Sequence, residues 1–268
     1  MYDGTGNRSR VQIQSIRWAA ITRNNRREEP LAYLEFANIL AQRLKLRHTP
    51  IGIAYLAEAP SGVKRCGEAV PSACAFWKAA ERQLFYATPE DHYNCPIGAI
   101  TQGFTLPQPV SEDAMSLIGM MGKVSYLEAA EAGHIPKVEK NHSVIVYGPL
   151  KDFDGIQPDV VLLIATPFQA MMISEAGGTA SWGKGRESRT LGRPACAVIP
   201  ASMKSGNTSI SMGCMGARTF ADIKEDEVLI SVPAAAVAEL QSRLAVVLDA
   251  NVEMKKFYET QKSNFASA

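Results

Sequence analysis

Two stretches of this chain carry the same cysteine pattern, and that repetition limits the fold more than any other feature. Residues 71–99 read PSACAFWKAAERQLFYATPEDHYNCPIGA, and residues 193–217 read RPACAVIPASMKSGNTSISMGCMGA. In each, a proline stands two or three residues before the first cysteine, and Gly-Ala follows closely on the second. The offsets from Cys74 to Cys196 and from Cys95 to Cys214 are both roughly 120 residues, the mark of a duplicated unit. The residues in between match poorly, so an undivided domain stays open beside two halves at about 30–150 and 151–262. The duplicated reading puts both cysteine pairs in one pseudo-symmetric site.

Hydrophobic periodicity supplies the elements. Leu31, Leu34, Phe36, Ile39, Leu40 and Leu44 recur at helical spacing and predict an amphipathic first helix. Residues 50–56 read as a buried strand, 74–84 as a helix, and 84–87 as a short strand. Thr88 is placed to cap a turn beginning at Pro89. Helices are expected over 112–121 and 122–133, and an alternating strand over 143–147. Residues 160–165, VVLLIA, form the most strand-like run and predict a central strand covered on both faces. Thr166-Pro167 then opens a helix ending at Gly177-Gly178. A polar Gly/Ser/Arg-rich loop covers 179–193, a short strand 209–212, a strand 228–232, and a long helix 234–251, with a frayed helix or tail from 255. Strands alternating with helices predict an α/β or α+β class, a compact mixed sheet with flanking helices.

Composition narrows the function. At 268 residues, with 46% hydrophobic and 21% charged residues, the chain reads as one globular domain over about 30–262. A net charge of +1 gives no field for nucleic acid or an anionic membrane, and no apolar run approaches a membrane span. Residues 1–29 differ. Six arginines stand against Asp3 before Glu28, which reads as a flexible basic extension, a transit-peptide-like segment or translation from an upstream start. Five cysteines, an odd number without a credible secretory signal, favour reduced thiols and a cytoplasmic location.

Three readings of the cysteines stay open: buried small residues, a shared metal or cluster, or a reactive thiol. Four thiolates from two loops suit an iron–sulfur cluster, a 4Fe–4S group first and zinc second. Cys95 precedes a proline, and Gly98, Gly213 and Gly216 let backbone N–H groups approach sulfur. In that reading Cys74, Cys95, Cys196 and Cys214 ligate, while His92, Asn94 and Arg218 surround the group or meet substrate. There is no CxxC pair, so spacing alone selects none of the three. A thiol enzyme would use Cys95 with His92 three residues before it. A non-catalytic ligand-binding module would instead use the 160–165 strand and the helix start at Thr166, where backbone N–H groups favour anions. Lys184, Arg186, Arg189 and Arg193 suit an anion or a solvated loop. The partners expected are a small molecule or an electron-transfer protein, and a homo-oligomer is compatible.

The segments SACAFW, EDHYNCPIGA, GPL with PDVVLLIATPFQAM, and GCMGAR together resemble the uncharacterised prokaryotic family labelled domain of unknown function 169, found in archaea and bacteria including many anaerobes. The resemblance covers nearly everything from Pro30 to Tyr258. It implies that the family's recurring cysteines are Cys74, Cys95, Cys196 and Cys214, with Cys66 outside the pattern. It carries over no activity.

Overall fold

The computed structural model describes residues 29–67, 70–123, 133–178 and 190–266. The basic extension, most of the helix expected over 122–133 and most of the 179–193 loop, with Lys184, Arg186 and Arg189, lie outside the described residues. The first half contains α1 (Glu29–Gln42), β1 (Ile51–Leu56), α2 (Ala75–Ala80), β2 (Phe85–Ala87), α3 (Pro89–His92), α4 (Pro96–Thr101), α5 (Gln108–Lys123) and β3 (Val144–Pro149). The second contains β4 (Val160–Ala165), α6 (Pro167–Ala176), β5 (Thr190–Leu191), α7 (Val198–Ser205), β6 (Ser209–Ser211), α8 (Met215–Phe220), β7 (Val228–Pro233) and α9 (Val237–Ala266).

The strands form one sheet in the order β2-β3-β1-β4-β7-β6-β5. All pairings are antiparallel except β5 with β6. The order is a palindrome of two equivalent triplets, β2-β3-β1 and β6-β7-β4, and the registers agree residue for residue. Ile51 pairs with Pro149 and Leu56 with Val144, as Val160 pairs with Pro233 and Ala165 with Val228. Phe85 meets the fourth residue of β3, Tyr147, and Ser209 meets the fourth residue of β7, Ser231. Both long partner strands end in a proline followed by a single 3-10 turn, Leu150–Asp152 and Ala234–Ala236. At the centre Ile51 pairs with Leu162, Gly52 with Val161 and Ile53 with Val160, which sets a pseudo-two-fold axis between Gly52 and Val161. The sheet, apart from β5 at its edge, is therefore built of two equivalent strand triplets.

Strand alternation sends side chains to two faces. Val161, Leu163, Ile230 and Val232 meet Phe36 and Leu40 of α1, Met172 and Ile173 of α6, and Leu240 and Leu244 of α9. Ile53, Tyr55, Tyr147, Leu162 and Leu229 meet Phe76 and Trp77 of α2 and Val198 and Ile199 of α7. Each such buried side chain contributes about 1.5–3 kcal/mol, so the two faces supply most of the driving force for the three-layer packing.

Differences from the sequence reading have local causes. The sequence reading assigns no helix to residues 198–205, yet they are helical although Val198-Ile199-Pro200 favours extended chain. Pro200 lies in the first turn, where a missing N–H costs nothing, and Val198 to Ser202 are all buried. Gly206, at φ +66, ends that helix. The last helix runs unbroken to Ala266 rather than fraying at 255, helped by the ion pairs Lys256–Glu253 and Lys255–Glu259. Among the described residues no helix is long and apolar enough to cross a membrane.

Candidate functional site

All four paired cysteines border a single cavity of about 160 Å³, on the sheet face covered by α2 and α7. Each comes from the start of a helix. Cys74 caps α2, Cys95 caps α4 and Cys214 caps α8, while Cys196 sits in the 3-10 turn Ala195–Ala197 that runs into α7. The halves interlock there, because α2 packs on α8 and α4 packs on the Ala195–Ala197 turn. Trp77, Ile97, Leu117, Met121 and Pro194 complete a mainly apolar wall, with Arg193 at its edge. The volume matches a cavity that holds one benzene-sized group.

All five cysteines are free thiols. Cys74 and Cys196 are buried, at 8% and 9% exposure. Burial pushes the Cys74 thiol up to about 11, opposed by the Ser72 hydroxyl 3.1 Å from its sulfur and reinforced by Cys95 and Cys214. Burial raises Cys196 well above an ordinary thiol, with Cys95, Cys214 and Cys74 adding to it. Burial therefore favours the neutral thiol at Cys74 and Cys196, and the neighbouring cysteines add to that preference. Gly98 is required there. A Cβ at that position would lie 2.8 Å from Cys95 Sγ and 2.9 Å from Ala73 Cβ, so the sulfur rests directly on bare backbone. The corresponding Gly216 is looser, since a Cβ there would lie 3.9 Å from Cys214 Sγ.

Cys66 lies elsewhere. It borders a separate cavity of about 620 Å³ with Lys64, Arg65 and Gln83, and burial raises its thiol to about 11, helped by Asp91. Its absence from the shared cavity agrees with the sequence pattern.

The three residues expected around the sulfurs fare differently. His92 is buried at 1% exposure, packed between Phe76 and Phe104, with ring centroids 4.9 and 5.0 Å away. Its Nδ1 donates to Thr88 O at 2.7 Å, which leaves Nε2 to accept from Tyr147 O–H at 3.1 Å. Burial lowers its pKa to about 4. Both nitrogens are thus committed and the ring is neutral, so His92 does not serve as the acid–base partner of Cys95. It meets that cysteine through its backbone carbonyl, which accepts from Cys95 N at 2.9 Å. Asn94 donates to Val70 O at 2.9 Å and braces the loop rather than a sulfur. Arg218 spends its guanidinium on the backbone carbonyls of Met212, Lys224 and Glu227.

The anion site expected at Thr166 is closed by its own chain. Thr166 and Gln169 form a reciprocal capping box, and Gln169 Nε2 donates to Leu44 O and Lys45 O at 3.0 and 3.1 Å. One polar link escaped the sequence reading. His48 bridges Glu81 at 3.0 Å and the buried Glu227 at 3.3 Å, tying the end of α2 to the strand entry of the other half. The hydrogen bond to Glu81 raises its pKa, as do the charges of Glu81 and Glu227. No local motif announces a contact between residues 179 apart.

Among the described residues, no three His, Cys, Asp or Glu side chains draw together as a group for a single metal ion. One zinc needs every thiolate about 2.3 Å from a common point. A cluster instead places each thiolate on its own iron and spreads the sulfurs around a larger body.

The family model for DUF169, described as uncharacterised ArCR, matches residues 39–243. An uncharacterized protein of Methanocaldococcus jannaschii, MJ0308, is 30% identical over 156 residues, 57% of this chain and 66% of that protein, just under two thirds of its length. No solved structure matches. The matched span takes in all four cavity cysteines and all seven strands from β1 to β7, and on that match the chain belongs to the DUF169 family.

Proposed function

We propose that this protein is an iron–sulfur redox protein, its cluster held by Cys74, Cys95, Cys196 and Cys214. The observation that carries the reading is the convergence of four thiols, two from each half, on one small and mainly apolar cavity. When bound, such a cluster supplies one-electron transfer at a potential set by its ligands, burial and hydrogen bonds to sulfur. The chain's own contribution is to give up four thiol protons on loading, to hold the sulfurs at helix starts, and to shield them with Trp77, Ile97 and Leu117. Cys95 and Cys214 are the less buried pair, so they form the side nearest solvent, where a small molecule or an electron-transfer partner meets the site.

Anaerobic purification followed by iron and sulfide analysis tests this directly. Brown protein with near-stoichiometric iron and sulfide, and a reducible electron paramagnetic resonance signal, is expected. Colourless protein that takes up neither element after anaerobic reconstitution overturns it.

A further inference from the structure

The two solvent-side cysteines are held in place by different means. Cys95 is followed by Pro96, whose ring fixes the first helical φ, and its sulfur sits on Gly98. Cys214 is followed by Met215 and has no such constraint. Its turn also contains Gly213 at φ +79, a left-handed conformation that glycine reaches easily and leaves as easily.

Polar contacts supply what the missing proline does not. Ser211, fully buried in β6, accepts the Gly213 N–H at 3.1 Å and donates to Gly192 O at 3.1 Å. Gly192 lies four residues before Cys196, so one hydroxyl joins the approaches to both cysteines of this half. Arg218 Nη2 donates to Met212 O at 2.7 Å and to Glu227 O at 3.3 Å, and Nη1 donates to Lys224 O. The carbonyl before Gly213 and the N–H of Gly213 itself are therefore both anchored. Both anchors sit immediately before Cys214.

We propose that Arg218 and Ser211 are positioning residues for the sulfur site, fixing Cys214 against Cys196 as Pro96 and Gly98 fix Cys95. Arg218 acts through backbone carbonyls, and its planar fork reaches acceptors that an ammonium cannot serve together. This inference rests on the cluster reading only for what happens on loading. The placement of the thiol is a property of the metal-free chain.

The test follows iodoacetamide alkylation of each cysteine by mass spectrometry in reduced, metal-free full-length protein, comparing the parent with R218A, R218K and S211A. Cys214 is expected to react roughly tenfold faster in R218A as its turn opens locally, with a smaller gain in S211A. R218K is expected to stay close to R218A, and Cys95 in the same samples to keep its parent rate. An unchanged Cys214 rate in folded R218A and S211A overturns the proposal, as does an equal acceleration of Cys95, which would mean general loosening. Should R218A not fold, S211A decides alone. After anaerobic reconstitution, R218A is expected to hold less iron and to give a shifted paramagnetic spectrum. A parent that binds no iron overturns the proposed function while leaving the alkylation result to judge Arg218 and Ser211.

Discussion

The halves share their strand registers and the placement of two cysteines each, but they surround those cysteines differently. In the first half the position opposite Phe85 is Tyr147, bonded to the buried His92 within a cluster of Phe76, Phe85 and Phe104. In the second half the equivalent position is Ser231, bonded to Ser202 at 2.6 Å among smaller side chains. An aromatic layer in one copy thus corresponds to a hydroxyl pair in the other. Packing around the cysteines differs between the halves, while each half still delivers two cysteines to the shared cavity.

The largest effect should come from the sulfurs themselves. Cys74→Ser and Cys196→Ser are equivalent by symmetry, and each should lower reconstituted iron and sulfide about tenfold or more, whereas Cys66→Ser should leave both unchanged. A difference between the first two would break the symmetry of the site.

Next come the glycines beneath the less buried pair. Gly98→Ala forces a Cβ against Cys95 Sγ and Ala73, and should cost about 1–3 kcal/mol in chemical denaturation. Gly216→Ala meets Cys214 Sγ only at ordinary contact distance and should cost under about 1 kcal/mol.

The divergent layer gives a finer comparison. Tyr147→Phe strips the donor from buried His92 Nε2 and should destabilise by about 1–3 kcal/mol. Ser231→Ala should cost less, about 1 kcal/mol, because Ser202 keeps Ile199 O as an acceptor at 2.9 Å.

The smallest effect concerns the link between halves. The folded pKa of His48 is raised above 6.5, chiefly by its hydrogen bond to Glu81. Its contribution is therefore complete below the unfolded value and is lost as pH rises through the folded one. Urea midpoints of the parent should fall between about pH 6 and pH 9, and those of His48→Gln should change less over that window. An unaltered pH slope in the variant would remove His48 from the account.

Much of this was legible in the residues. Val160–Ala165 announced a central strand because an uninterrupted β-branched and aliphatic run has to be covered on both faces, and it is. A proline two or three residues before the first cysteine, and Gly-Ala shortly after the second, marked the four sulfurs and separated them from Cys66. The roles of His92, Asn94 and Arg218 were not legible. Nearness in sequence says that a polar side chain is close to a cysteine, not which way it turns, and each of the three found a backbone or buried partner instead. His92 in particular faces the aromatic layer, because Phe76 and Tyr147 reach it from elements far away in the chain.

The amino-acid sequence by itself determined the alternation of strands and helices and singled out four cysteines in two similar stretches, since these follow from local periodicity and short motifs, while it left duplication open. Only the tertiary structure decided that the two copies meet edge to edge at Gly52 and Val161, that their helix starts interlock, and that the sulfurs border one cavity. The physical reason is that strand pairing and helix packing join residues more than a hundred positions apart. Their geometry comes from burying two faces of a shared sheet, a quantity that no local stretch of chain encodes.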